Sequence, residues 1–321
     1  SIREDAEIAV ELDPRSLTPE RIAAMAAAGV NRASLGVQTF DPHVQKAVNR
    51  IQPREMIQDC IEALRIAGIS AINVDLMYGL PYQTSDDLCE TAAFCAANGV
   101  SRVAVFGYAH VPWFAKHQRA IDEAALPGLR ERAEQADIIA AALQGAGYQR
   151  IGLDHFARAD DPLAQAARDG RLRRNFQGYT DDPYDTLVGI GPSAISAFTE
   201  GFVQTPRRDD HWRAAIEAGR LPSERGIALN DDDRLRGRVI EALMCGLRAD
   251  VGAICKAMSQ PVETLDQALI NAAALSEHGL CEVRDRVVTV PEEARMLVRN
   301  VARCFDAYVP VETVGRHALA V

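Results

Sequence analysis

The run Ala71–Pro81, AINVDLMYGLP, constrains this chain most. It is a short apolar stretch bounded by Gly68 on one side and Gly79 and Pro81 on the other, interrupted only near its end by Asp75. That pattern predicts a strand buried on both faces, the kind found in parallel sheets. A carboxylate buried near the end of such a strand is costly unless something pairs with it. In parallel α/β sheets the C-terminal edge is where ligands bind. Asp75 alone could simply cap backbone amides, but other strands of the chain end in the same polar way.

Strands are expected at Glu7–Leu12, Arg32–Val37, Ala71–Met77, Arg102–Gly107 and Tyr148–Leu153. Helices between them are expected to start at Thr18–Pro19, Asp41–Pro42, Arg54, Thr84 and Pro127. A capping residue followed by proline marks two of these starts. Strand and helix alternating with one orientation gives a parallel sheet with helices outside. No G-x-G-x-x-G follows a strand, which disfavours a dinucleotide-binding sheet. In a barrel, Glu11, Gln38, Asp75, Ala109–His110 and Asp154–His155 would surround one mouth.

The pattern changes near Arg158. Arg171–Thr180 is basic, aromatic and turn-rich and reads as an anion-binding loop. From Leu229 a helical unit begins, with extended segments around Cys281–Val290 and a last helix over Pro291–Phe305; its order is winged-helix-like. We divide the chain at 1–157 (barrel), 158–227 (substrate loop and connection) and 228–321 (helical domain).

Composition narrows the function. A net charge of −10 and a pI near 5.3 argue against a nucleic-acid partner, and the slightly acidic helical part reads as a packing or lid domain. No apolar run reaches the length of a membrane span and no signal peptide opens the chain, so a cytoplasmic protein is expected. The 7 cysteines are scattered, and Cys89 and Cys95, the nearest pair, match no metal spacing. Most are expected to be buried small hydrophobes. The chain opens on Ser1 almost directly before a strand, as a segment of a longer protein would.

Glu11, Gln38, Arg50 and Asp75 form a set at successive strand ends. Carboxylates accept from ribose hydroxyls or an α-ammonium, an amide donates and accepts, and arginine offers a fork for a carboxylate. Such a set suits a zwitterionic amino acid joined to a sugar; a structural ion-pair network would use the same residues.

The runs EIAVELDP, RASLGVQTF, VQKAVNR, NVDLMYGLPYQT, FGYAHVPW, LDHFARADDPLA, RRNFQGYT, GIGPSAISAF and ARCFDAYV together resemble oxygen-independent coproporphyrinogen III oxidases, radical S-adenosylmethionine (SAM) enzymes of haem biosynthesis. The resemblance implies a radical-SAM (β/α) partial barrel followed by a small helical domain. It also implies a 4Fe–4S cluster with two SAM molecules. Glu11 and Ile195 fall where the family contacts the cluster-bound SAM; Gln38, Arg50, Asp75 and Ala109 fall at the second. Substrate contacts are expected at His155, Arg174, Gln177 and Tyr179.

The reaction implied is conversion of two propionates of coproporphyrinogen III to vinyl groups, giving protoporphyrinogen IX. It needs an electron donor and a terminal electron acceptor, in a monomer. The family's C-x-x-x-C-x-x-C motif and the Gly-rich motif of its second strand are absent. We therefore expect a barrel lacking its first strands, with the cluster cysteines upstream, no metal ligands in this chain and no activity of this chain by itself. A haem chaperone of the same superfamily is the alternative. It would carry an H-N-x-x-Y-W segment where this chain has RRNFQGYT, which holds no histidine.

Overall fold

The computed structural model describes residues 2–308; the final residue of ARCFDAYV, Val309, and the end of the 228–321 domain lie outside the described residues. Two compact units divide near Gln165 and Ala166.

The first unit runs β1 (Ala9–Leu12), α1 (Pro19–Ala27), β2 (Arg32–Gln38), α2 (Pro42–Ala47), α3 (Arg54–Ile66), β3 (Ala71–Tyr78), α4 (Ser85–Ala97), β4 (Arg102–Gly107), α5 (Leu129–Gly145), β5 (Tyr148–Ile151) and β6 (His155–Arg158). The helix starts follow the chemistry of their caps. Thr18, Asp41 and Thr84 each accept from a backbone amide of the first turn, and Thr84 with Asp87 completes a capping box.

One sheet of order β1-β2-β3-β4-β6-β5 results, parallel from β1 to β4. β3 is not buried on both faces. Ile72, Val74, Leu76 and Tyr78 are buried, whereas Asn73, Asp75 and Met77 alternate with them and stay half-open. The face of β3 that carries Asn73, Asp75 and Met77, the inner face, is half-open and keeps polar side chains. A second expectation also fails: the segment after Tyr148 is not one further parallel strand. Gly152 takes φ 56°, and the chain turns back as β6, antiparallel to both β4 and β5. The left-handed conformation available to glycine breaks what reads in sequence as one run.

The chain enters the second unit within α6 (Pro162–Arg168). There the expected basic loop is a hairpin, β7 (Arg173–Asn175) with β8 (Gly178–Thr180). Then come β9 (Ile195–Phe198), β10 (Gly201–Gln204), α7 (Asp209–Glu217) and β11 (Arg225–Ala228). The three strands form an antiparallel sheet that the composition of the region concealed. The helical part is α8 (Asp231–Gly246), β12 (Arg248–Asp250), α9 (Val251–Ala257), α10 (Asp266–Leu275), β13 (Glu282–Arg284), β14 (Val287–Thr289) and α11 (Val298–Arg303). Its strands pair in the order β12-β14-β13. Among the described residues no helix is long and apolar enough to cross a membrane.

Candidate active site on the inner face of the sheet

Strand register assembles the site. Glu11 lies beside Ser34 and Ser34 beside Asn73; one step nearer the C-terminal edge, Gly36, Asp75, Ala104 and His155 form the next cross-strand row. Ser34 Oγ donates to Asp75 at 3.3 Å from Oδ1 and 3.4 Å from Oδ2. Burial, reinforced by the Glu11 charge, pushes the Asp75 carboxyl up to about 6 despite help from Ser34 and His155. Among the described residues neither carboxylate pairs with an arginine or lysine, which suits an incoming cation better than a structural network.

Below this layer the sheet is closed by a buried ion cluster. Arg32 donates to Glu7 (2.7 Å) and Asn73 (2.9 Å) and lies 3.5 Å from Asp161, while Arg102 donates to Asp161 at 2.8 Å. Asp161 also accepts from the Leu163 amide at the start of α6. These residues seal the N-terminal end of the inner face.

Above it, the end of β2 is built around Gln38. Its φ is 73°, in the left-handed region, and the Thr39 amide donates back to Val37 O across it. A non-glycine residue there costs of order 1–3 kcal/mol and persists where the surroundings impose it. Gln52 donates to the Gly36 and Val37 carbonyls and Arg50 to Gly36 O at 2.7 Å, locking that turn. Arg50 also lies 3.8 Å from Asp13, and burial lowers its pKa. Among the described residues three polar atoms stay buried and unpartnered here, Gln38 Oε1, Gln52 Oε1 and Arg50 Nε. A Cβ on Gly36 would meet Arg50 Nη2 at 3.1 Å and Gln38 Nε2 at 3.3 Å, so the glycine lets both side chains close over the strand end. Orphan acceptors and an orphan guanidinium donor beside two carboxylates suit a zwitterionic ligand.

We expect Gln38→Gly to raise stability by about 1 kcal/mol by relieving the backbone. It should weaken SAM binding several-fold through the lost amide. Urea unfolding and calorimetric titration measure the two effects; a destabilised variant with unchanged SAM affinity would sink this account of the turn.

The other expected residues scatter. Ala109 follows β4, is exposed, and spends its carbonyl on Gln118 Nε2 at 3.0 Å. His110 is engaged by Tyr108 and Glu123. His155 Nδ1 is 2.8 Å from Asp154 Oδ1, with the Phe106 ring edge-on. Ile195, on β9, belongs to the second unit.

In that unit the basic stretch is not an open arginine cluster. Arg171 pairs with Asp169, and Arg173 with both Asp185 and Glu241. The Arg174 guanidinium lies over the Tyr179 ring at 5.6 Å and has no carboxylate partner among the described residues. Tyr179 is buried and donates to Met244 O, and Gln177 is exposed at the hairpin turn. Ser34, Gln52 and the ion cluster escaped the sequence reading. Their signal was the period-2 alternation Arg32, Ser34, Gly36, Gln38.

The cysteines do not suit an iron–sulfur cluster. Cys95, Cys255 and Cys281 are buried, Cys60, Cys245 and Cys304 half-buried and Cys89 exposed, so fewer are interior than expected. Burial pushes Cys95 and Cys245 up to about 12, away from the thiolate a metal requires. Among the described residues no three His, Cys, Asp or Glu side chains group to hold a metal.

Comparison with known proteins identifies the relatives of this chain. Residues 1–95 match the Radical SAM superfamily. An oxygen-independent coproporphyrinogen III oxidase of Bradyrhizobium diazoefficiens is 47% identical over 95% of this chain and 68% of its own length. One from Cereibacter sphaeroides is 45% identical with the same coverage. The solved structure of the Escherichia coli coproporphyrinogen III oxidase HemN, a radical SAM enzyme, superposes with a TM-score of 0.89 at 38% identity, over 95% of this chain and 70% of that one.

Proposed function

This chain belongs to the oxygen-independent coproporphyrinogen III oxidase family, and on that premise we propose that it serves the oxidative decarboxylation of coproporphyrinogen III to protoporphyrinogen IX in haem biosynthesis. The observation that carries the reading is the match to the family along 95% of the chain. SAM, when bound, supplies the one-electron chemistry that takes hydrogen from a propionate side chain.

The protein's part is to bind and orient. Glu11 and Ile195 hold one SAM; Gln38, Arg50, Asp75 and Ala109 hold a second. Asp75, ionised above about pH 6, accepts from an ammonium or from ribose hydroxyls. Arg50 Nε–H remains for a carboxylate, and Gln38 Oε1 for a donor. Ala109 contributes smallness, since its carbonyl is already engaged. The cysteines present do not fit the 4Fe–4S cluster, so we assign its ligands to no residue of this chain. Residues 1–157 form the barrel that carries most of the cofactor contacts, 158–227 carry the substrate loop and connection, and 228–321 form a packing or lid domain. A cytoplasmic monomer with a separate electron donor and terminal acceptor completes the proposal.

His155, Arg174, Gln177 and Tyr179 are assigned to the substrate, Arg174 foremost because its charge is unspent. Arg174→Ala should weaken binding of coproporphyrin III, the stable oxidised form of the substrate, by roughly 10- to 100-fold. Fluorescence titration reads this directly. Unchanged affinity, or haem bound tightly while coproporphyrin III is ignored, would favour a haem carrier instead.

A further inference from the structure

The β9-β10-β11 sheet presents one face whose residues follow from register alone. Ile195, Gln204 and Arg225 form one cross-strand row, and Ala197, Phe202 and Ile227 form the next row on the same face. The Phe176 ring stands edge-on to Phe202, with centroids 5.2 Å apart and planes at 75°. Large apolar groups on this face remain open: Phe176 is 52% exposed and Ile227 50%. A hollow of about 350 Å³ lies against both rows and Phe176. It adjoins a second hollow, sharing Phe176 and Phe202, where Arg173 and Arg174 stand with Asp182, Asp185 and Glu241.

Charge gives the face its direction. Arg173 is neutralised by Asp185 and Glu241. Arg174 on one side and Arg225 on the other have no carboxylate partner among the described residues. An apolar floor between two unspent guanidinium groups fits a ligand with an apolar body and several peripheral carboxylates.

We infer that this open face seats the tetrapyrrole body of the substrate and that Arg225 receives one of its propionate carboxylates. The inference deepens the oxidase reading and rests on it, because that reading supplies the tetracarboxylate. Arg225 lies two strands from Ile195, about 10 Å at ordinary strand spacing. A carboxylate on Arg225 is therefore remote from the SAM assigned to Ile195, and Arg225 acts as a specificity and positioning residue rather than touching reacting atoms. Phe202 and Ile227 supply the apolar contact between these two points, and Phe176 closes one side.

Coproporphyrin III titrated into the whole chain, followed by fluorescence at several salt concentrations, tests this. Arg225→Ala should lose about tenfold or more in affinity, and Arg225→Lys should recover part of it. The salt dependence of binding should shrink in the alanine variant, because an exposed charge pair is screened. Ile227→Asp, which puts a like charge into the apolar row, should bind still more weakly. Wild-type affinity and salt dependence in Arg225→Ala would overturn the inference. So would equal losses in the alanine and lysine variants with salt dependence unaltered. If Arg174→Ala lost affinity in the same series while Arg225→Ala did not, the oxidase reading would stand without this face. No binding by the unaltered chain would overturn both.

Discussion

Asp161→Ala should destabilise the first unit by about 3–5 kcal/mol, because it leaves two buried guanidinium groups without their shared carboxylate. Arg32 and Arg102 both point at Asp161, and the side chains of all three are almost wholly buried. Glu7 cannot replace it: it already accepts from Arg32 at 2.7 Å and lies 3.8 Å from Arg102. The substitution also removes the acceptor for the Leu163 amide, so the start of α6 loosens. Asp161→Asn keeps hydrogen-bonding capacity and should cost less. The denaturation midpoint in urea measures both. A loss below about 1 kcal/mol for the alanine variant would mean that water or another group reaches these arginines, and that the inner face is not sealed at this end.

Asp75→Asn should act in the opposite direction on stability and abolish most of the cofactor affinity. Burial lifts the folded carboxyl from 3.8 to about 6, so between these values the folded chain binds a proton that the unfolded chain releases. Stability therefore falls as pH rises from about 4 to about 6, and the full penalty stands above that window. Replacing the acid by its amide removes the penalty, a gain of up to about 3 kcal/mol at pH 8. The same change should flatten the pH profile. SAM affinity should fall roughly tenfold or more through loss of a charged acceptor. In the unaltered chain SAM binding should strengthen as pH rises through about 6. Equal stability of variant and wild type at pH 8, with SAM affinity intact, would return Asp75 to a backbone-capping role.

These two residues show where sequence was sufficient and where it was not. Asp75 stands out because a carboxylate in an apolar strand is conspicuous. Gln38 and Glu11 follow as polar ends of neighbouring strands, and Arg50 as a charge just beyond one. Asp161 is invisible because its partners, Arg32 and Arg102, come from strands far apart in sequence; register, not composition, brings them together. The turn at Gly152 is hidden because Tyr148–Arg158 keeps strand-like composition through it. Arg173 and Arg174 look alike in sequence, and only Glu241 on α8 and Asp185 tell them apart. Ala109 and Ile195 carry no chemical signature of their own, so only likeness to a family points to them. The β9-β10-β11 sheet escaped for a related reason: the glycine- and serine-rich composition around Val188–Phe198 carries no strand signal, and only cross-strand pairing reveals it.

Product analysis tests the oxidase reaction itself. The protein, reconstituted with iron and sulfide without oxygen, would be supplied with SAM, a reductant, a terminal electron acceptor and coproporphyrinogen III. Protoporphyrinogen IX with release of carbon dioxide is expected, and loss of that product in Asp75→Ala and Arg174→Ala. A cluster-loaded protein that binds haem and yields no decarboxylated product would contradict the oxidase reading.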